Sequence, residues 1–210
     1  MAAFIIFAQR DSIYLPLKKK IMYKQQLPIL LASKSPRRQE LMKLMDLDFK
    51  VVLKEVDESY PEDLLPAEIA VYIAEKKAIA FAEERERNIV ITADTIVAYN
   101  KEILGKPEDE THAAEMLTKL SGTNHQVYTG VSIAQGDKVR SFFDVTEVFF
   151  NPVTPEQIAY YIRNYNPMDK AGAYGIQDWI GFIAVEKIIG SYTNVMGLPT
   201  EKLYKALLAF

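Results

Sequence analysis

The chain has 210 residues, 49% of them hydrophobic, enough to bury one good core or two small lobes sharing a cleft without a disulfide or metal staple. It contains no cysteine, which removes disulfides, thiolate metal sites and thiol nucleophiles together and is compatible with a reducing cytoplasm. With 25 basic and 28 acidic residues, net charge -3, it lacks the overall basic field that drives binding to polymeric nucleic acid, so any phosphate it holds is expected to be small.

The hydrophobic run near the N-terminus, Phe4 to Ala8, is too short to span a bilayer and follows no basic region, so neither a membrane segment nor a signal peptide is expected. Residues 1–24 show no clear period and read as an extension, either a loose arm or a mis-assigned start, since Met22 stands just ahead of the first strand pattern. Residues 25–210 read as one domain. Leu27 to Ala32 predicts a buried strand, and Pro36 to Met45 a helix presenting Leu41, Leu44 and Met45 to the core. Phe49 to Leu53 predicts a second strand, followed by the acidic run Glu55, Asp57 and Glu58. Helical spacing runs from Pro66 to about Arg85, with Ile69, Ile73 and Ala80 on one face and Lys77 beside it.

Asn88 to Tyr99 is a long strand pattern, and Asn100-Lys101 offers a hairpin turn into Ile103 and Leu104. After Leu104-Gly105-Lys106-Pro107 an acidic-started helix runs to Gly122. His125 to Ala134 and Val139 to Phe150 alternate as a second strand pair around Gln135-Gly136-Asp137. Thr154-Pro155-Glu156-Gln157 is a capping box opening a helix to about Tyr165. The glycine-rich loop Ala171 to Gly175 leads to Gln177, a hairpin-like apolar segment spans Ile180 to Ile189, and a last helix starts at Pro199. Interleaved strands and helices with several hairpins predict an α/β fold with a mixed, twisted sheet flanked by helices.

Three stretches carry chemistry. In the first, an apolar strand runs into Leu30-Leu31-Ala32-Ser33-Lys34-Ser35-Pro36-Arg37-Arg38, where Ser35 is placed to cap a helix with proline at its first position. Arginines in a first helical turn oppose the helix dipole, and a bound phosphate would balance them; two solvated arginines on a surface helix are the plain alternative. In the second, Asp94 sits within Ile89-Val90-Ile91-Thr92-Ala93-Asp94-Thr95-Ile96-Val97. A carboxylate buried there costs several kcal/mol, on the order of other unpaired buried ions, unless a cation, metal or hydrogen-bond donor compensates. That setting suits a general base or metal ligand, and equally an aspartate paired with a core arginine. In the third, Gln177 closes the glycine loop with an amide that offers both a donor and an acceptor, as reading a base edge requires; Thr95 offers a second polar contact, and both residues could instead satisfy backbone groups. Lys106 is fixed between Gly105 and Pro107, while Lys77 on a helix has solvation as its plain reading. Asp57 and Glu58 could ligate a hard divalent cation or form a solvated loop. His112 and His125, the only histidines, give little support to a zinc triad or a serine-histidine hydrolase.

Six strings in order, L-A-S-K-S-P-R-R-Q-E-L (Leu31 to Leu41), T-A-D-T-I-V (Thr92 to Val97), L-G-K-P (Leu104 to Pro107), L-S-G (Leu120 to Gly122), D-K-A-G-A-Y-G-I-Q (Asp169 to Gln177) and M-G-L-P (Met196 to Pro199), resemble the Maf family of nucleoside triphosphate pyrophosphatases. The resemblance covers about Leu27 to Phe210. It implies an elongated two-lobed body with a central cleft, similar in fold to inosine-triphosphate pyrophosphatases, commonly a cytoplasmic homodimer. It implies Asp94 as proton acceptor, Arg37, Arg38, Lys77 and Lys106 with Ser35 as phosphate-handling residues, and Asp57 or Glu58, together with Asp94, around a magnesium or manganese ion. Arg37, Thr95 and Gln177 then look like the specificity positions of the branch acting on dTTP and UTP. The alternatives are the sister activity on 7-methylguanosine triphosphate and a non-catalytic nucleotide-binding regulator of septum formation. Asp178-Trp179 departs from the small residues that tend to follow the glutamine, and residues 1–24 have no family counterpart.

Overall fold

The computed structural model describes residues 26–210, so the expectations for residues 1–24 lie outside the described residues. One mixed sheet organises the chain: β1 (Ile29–Leu31), β2 (Phe49–Val51), β3 (Ile89–Tyr99), β4 (Glu102–Leu104), β5 (Asn124–Gln135), β6 (Lys138–Phe150) and β7 (Val185–Ile189). Its strand order is β2-β1-β3-β5-β6-β7, with β4 added to β3. β1 runs parallel to β2 and β3, and the remaining pairs are antiparallel. Parallel neighbours need crossovers, which the helices α1 (Pro36–Leu44) and α2 (Pro66–Ile79) supply. The β3–β4 turn holds Asn100 and Lys101 at φ 47° and 68°, the left-handed pair that a tight two-residue hairpin demands.

β3 is buried on both faces, and its alternation divides the core. Ile89, Ile91, Ala93 and Val97 enter the large core, which also takes Leu41 and Met42 of α1 and the buried faces of α3 (Glu110–Leu120), α4 (Pro155–Tyr165) and α7 (Thr200–Leu208). Ile96 packs instead on Ile69, Ala70 and Ile73 of α2, Val90 packs on Phe81, and the Thr92 hydroxyl donates to the Ala74 carbonyl at 2.6 Å. Even-numbered residues from Thr92 to Ile96 therefore meet α2, with Val90 meeting Phe81 just past its end, and odd-numbered ones meet the opposite layer. Caps fix where helices begin: Ser35 accepts from the Arg38 N–H, Asp109 from the His112 N–H, and Thr154 and Gln157 bond reciprocally as a capping box.

Three local expectations are corrected. Leu44 is 72% exposed, because α1 turns Leu41 and Met42 inward instead. α2 stops at Ile79 rather than Arg85, a separate 3-10 turn covers Glu84–Glu86, and Ala80 is only half-buried. The segment from Ile180 to Ile189 is not a hairpin: helix α5 (Trp179–Ala184) precedes β7, which is an edge strand on β6. Gly181 permits this, since a Cβ there would stand 2.0 Å from the Ile176 carbonyl oxygen. Between β7 and α7 lies a single helical turn, α6 (Tyr192–Val195), pinned by buried Asn194 donating to Val127 O and Thr146 Oγ1, both at 3.0 Å.

Candidate active site

β5 occupies one edge of β3 from Val90 to Ala98. On the other edge β1 pairs with residues 89–91 and β4 with residues 97–99, so the intervening backbone has no strand beside it. This gap, just past the C-terminal end of a parallel strand, is where open α/β sheets bind ligands. A cleft of about 1310 Å³ opens there, walled by the β1–α1 loop and first turn of α1, the loop before α2, Lys106, and residues 166–169 and 195–197. The basic residues expected there, Arg37, Arg38, Lys77 and Lys106, all line it, together with Ser35, Asp94 and Thr95, and the acidic Glu55, Asp57, Glu58 and Asp169 share its walls.

Asp94 lies opposite Gly130 of β5, and no Cβ would fit at that glycine, since it would stand 2.2 Å from the Ala70 carbonyl oxygen. α2 thus lies close on the sheet and carries Lys77 over Asp94. The Lys77 ammonium donates to Asp94 Oδ1 at 2.7 Å and lies 2.8 Å from Glu58 Oε1; Lys106 Nζ stands 3.8 Å from Glu58 Oε2. Lys77 is therefore no solvated helix residue, and the buried carboxylate that the sequence singled out has its compensating cation. Burial alone would raise the Glu58 pKa, but Lys77, Lys106 and Arg38 outweigh it and hold this carboxyl below the ordinary range.

The two arginines part company. Arg37 pairs with Asp169 at 2.8 Å on the cleft wall. Arg38 spends four of its five N–H donors on the protein: Nε on Gly197 O at 2.7 Å, Nη1 on Ala93 O at 2.9 Å and Ser33 Oγ at 3.4 Å, and Nη2 on Thr95 Oγ1 at 3.0 Å. The acceptors that balance arginines at this helix start are thus an aspartate and two carbonyls of the chain itself. Burial lowers the Arg38 pKa, against the attraction of Asp94. Its bond to Ala93 O satisfies an acceptor on the unpaired edge of β3 and fixes the strand that carries Asp94.

Thr95 is similarly engaged, bonding Thr129 Oγ1 at 2.9 Å as well as Arg38. Gln177 does not line the cleft. Its Nε2 donates to Asp178 Oδ1 at 3.1 Å, and Asp178 Oδ2 accepts from the Tyr161 hydroxyl at 2.7 Å; Trp179 packs edge-on against Tyr160, 4.8 Å between ring centroids. A chain of ion pairs links this group to the cleft, from Arg37 through Asp169 and Lys170 to Asp178. Asp57 turns to Lys76 and Ser59, which drive its pKa strongly down, and so does not join Glu58 and Asp94 on Lys77. Among the described residues no group of three or more histidine or acidic side chains is arranged to hold a metal. His125 is buried in the sheet against Tyr174 and takes no part in the cleft.

Sequence reading missed Asp169 and Gly197 as partners of the arginines, although both lie in the quoted strings, and missed Gly130, whose only trace is a glycine inside a strand pattern. Among the described residues no helix is long and apolar enough to cross a membrane.

The Maf-like protein family model matches residues 28–210. A protein of Flavobacterium johnsoniae named dTTP/UTP pyrophosphatase is 49% identical over 192 residues, covering 91% of this chain and 97% of its own. Proteins of the same name from Bacteroides thetaiotaomicron and Phocaeicola vulgatus are 50% and 51% identical over 181 residues, each covering 85% of this chain and 94% of their own. Among solved structures, a HAM1 protein from Coxiella burnetii superposes with a TM-score of 0.47 at 14% identity, covering 88% of this chain and 100% of that one. The match of the family model across nearly the whole described chain, with relatives at half identity, establishes that the chain belongs to the Maf family.

Proposed function

We propose that this protein hydrolyses UTP and dTTP to the nucleoside monophosphate and pyrophosphate. The observation that carries the reading is Asp94: a carboxylate on the open edge of β3, inside a cleft that Arg37, Arg38, Lys77 and Lys106 also line, with its own ammonium partner at 2.7 Å. The choice of pyrimidine triphosphate is supported by the names of the half-identical relatives. In this reading Asp94 takes a proton from a water molecule whose oxygen bonds to the α-phosphorus, while the bond from that phosphorus to the α–β bridging oxygen breaks and the bridging oxygen leaves with pyrophosphate. Lys77 and Lys106 neutralise the charge gathering on the phosphoryl oxygens, and Arg37 meets the chain on the opposite wall. Arg38 has one N–H left to offer, so its main part is to hold the strand and Thr95 in place.

A divalent cation such as magnesium or manganese accompanies the substrate in this proposal. Magnesium is commonly held by one or two carboxylates plus substrate phosphates, and Glu58 and Asp94, both drawn to the same ammonium, fit that donor set; Asp57 does not. Bound with the triphosphate, the ion would supply charge neutralisation at the scissile phosphates. The test is a panel of nucleoside triphosphates, with magnesium and with manganese, assayed separately for pyrophosphate and orthophosphate. Pyrophosphate release with kcat/KM highest for UTP and dTTP is expected. Preference for 7-methylguanosine triphosphate, or binding with no turnover of any nucleotide, would overturn the reading.

A further inference from the structure

Arg37 and Arg38 are neighbours in one helical turn, yet the chain treats them oppositely. Arg38 spends four of its five N–H donors on the protein, whereas among the described residues Arg37 spends one, Nη1 on Asp169 Oδ2 at 2.8 Å. Its guanidinium keeps the other four for the cleft that both partners line. Asp169 stands 132 positions away in sequence, at the end of the 3-10 turn Pro167–Asp169, and its carboxylate is itself held. Oδ1 accepts from Lys170 Nζ at 2.8 Å; the Lys170 side chain is only 10% exposed, and Asp178 Oδ2, fixed by the Tyr161 hydroxyl at 2.7 Å, lies 3.7 Å from the same ammonium. A buried ammonium is costly without carboxylates beside it, so Asp169 is committed to Lys170 through one oxygen and offers Arg37 the other. Burial would raise the Asp169 pKa, but Lys170 and Arg37 outweigh it and keep the carboxyl ionised.

An acid on the wall of a cleft that takes a polyanion has two opposed effects: it repels the ligand, and it orders the arginine. The repulsion is the smaller, because the Asp169 charge lies 2.8 Å from each of two cations and what remains is screened by salt within about 8–10 Å. The ordering is the larger, since an unanchored arginine has many rotamers to lose when a ligand arrives. Nor is the pair there for stability: its side chains are 21% and 54% exposed, the setting in which ion pairs contribute little to folding. We propose that Asp169 is a positioning residue for substrate binding, holding Arg37 across the cleft by a single N–H so that its remaining donors meet the phosphate chain of the nucleotide. This inference rests on the reading of the cleft as a nucleoside triphosphate site. A two-pronged pairing would consume the fork that phosphate needs; the single bond fixes the side chain and leaves the fork to the ligand.

The test compares wild type, Asp169→Asn, Asp169→Ala, Arg37→Ala and the Asp169→Ala/Arg37→Ala double variant, at a temperature where each is folded. Pyrophosphate release from UTP gives kcat and KM, and calorimetry gives the Kd of α,β-methylene-UTP, which lacks the scissile bridge. Asp169→Ala is expected to raise KM and Kd about tenfold with kcat within about twofold of wild type, the pattern of lost ground-state binding. Asp169→Asn keeps the shape and one acceptor, covers the case in which the alanine variant does not fold, and should raise both about threefold or more. Arg37→Ala should raise KM at least as much as Asp169→Ala, and adding Asp169→Ala to it should raise KM no more than about twofold further, because Asp169 acts through Arg37. A KM that falls in Asp169→Asn or Asp169→Ala would show repulsion outweighing order and overturn the proposal. So would an unchanged KM, a loss in kcat alone, or a double variant whose KM rise is the product of the single ones. Absence of pyrophosphate release from UTP and dTTP by the wild type overturns the underlying activity instead, and is seen before any variant is compared.

Discussion

Replacing Lys77 by methionine keeps the apolar stem of the side chain and removes the ammonium that both Asp94 and Glu58 share. In the wild type that ammonium is 2.7 Å from one carboxylate and 2.8 Å from the other, with side-chain exposures of 14% for Lys77, 12% for Asp94 and 46% for Glu58. Removing one member of a buried ion pair costs about 3–5 kcal/mol, because the survivor is left charged and poorly hydrated. Glu58 can turn to solvent and to Lys106, so its share is small; Asp94 on the sheet has no such recourse, and the low end of the range, about 3 kcal/mol, applies. For a domain of this size that corresponds to a fall in Tm of about 6–12 °C. Urea denaturation of wild type, Lys77→Met, Asp94→Asn and the double variant reads the effect. Asp94→Asn in the Lys77→Met background should recover stability, giving a coupling of about 2 kcal/mol. A loss under about 1 kcal/mol for Lys77→Met, or additivity within about 0.5 kcal/mol, would refute the assignment of Lys77 as the compensating charge.

Three further outcomes follow from single positions. Gly130→Ala places a methyl 2.2 Å from the Ala70 carbonyl oxygen, so α2 must withdraw; we predict a loss of about 1–3 kcal/mol with a parallel drop in turnover, and a variant as stable and active as wild type would contradict the close approach. Burial lowers the His125 pKa to about 4, so below the ordinary value of 6.5 the unfolded chain binds a proton that the folded chain refuses. Stability measured in urea should therefore fall by roughly 1.5 kcal/mol as pH drops from 6.5 to 5, before the carboxylates held low in the fold, Glu58 and Asp169 among them, begin to lose their contribution, and His125→Gln should remove that slope. Lys106, half-exposed on its loop, is predicted to weaken triphosphate binding more than monophosphate binding when changed to alanine, with the melting temperature unchanged; equal losses for both ligands would deny it a phosphate role.

Much of this was legible in the chain because local chemistry and tertiary packing agree. Both hairpins stood in turn residues between alternating strands, and the Thr154 capping box and Ser35-Pro36 start are realised as read. Asp94 is conspicuous as the single charge in a strand that is otherwise uncharged and mostly apolar. What the sequence withheld depends on contacts between distant segments. Nothing near Lys77 distinguishes it from a solvated helix lysine until Gly130, 53 positions on, lets α2 lie against β5. Arg38 reads as a phosphate ligand because the carbonyls that engage it, from Ala93 and Gly197, have no signature in residue type. The short run Trp179 to Ala184 is too brief to separate helix from strand by period, and Leu44 sits at a helix end where one more residue of rotation decides its exposure. Gln177 reads as a polar residue at the end of a glycine loop, whereas its place outside the cleft lining and its tie to Asp178 required the fold.

The central claim is that a cleft built around Asp94 cleaves the α–β bridge of a pyrimidine nucleoside triphosphate, and its most direct measurement sets the wild type against Asp94→Asn with UTP as substrate. The substitution keeps the size of the side chain and removes the proton acceptor. The account predicts that the wild type yields UMP and pyrophosphate in equal amounts, and that Asp94→Asn binds UTP within a few-fold of wild type while its kcat falls by roughly a hundredfold or more. Near-normal turnover by purified Asp94→Asn, or orthophosphate in place of pyrophosphate from the wild type, would contradict it.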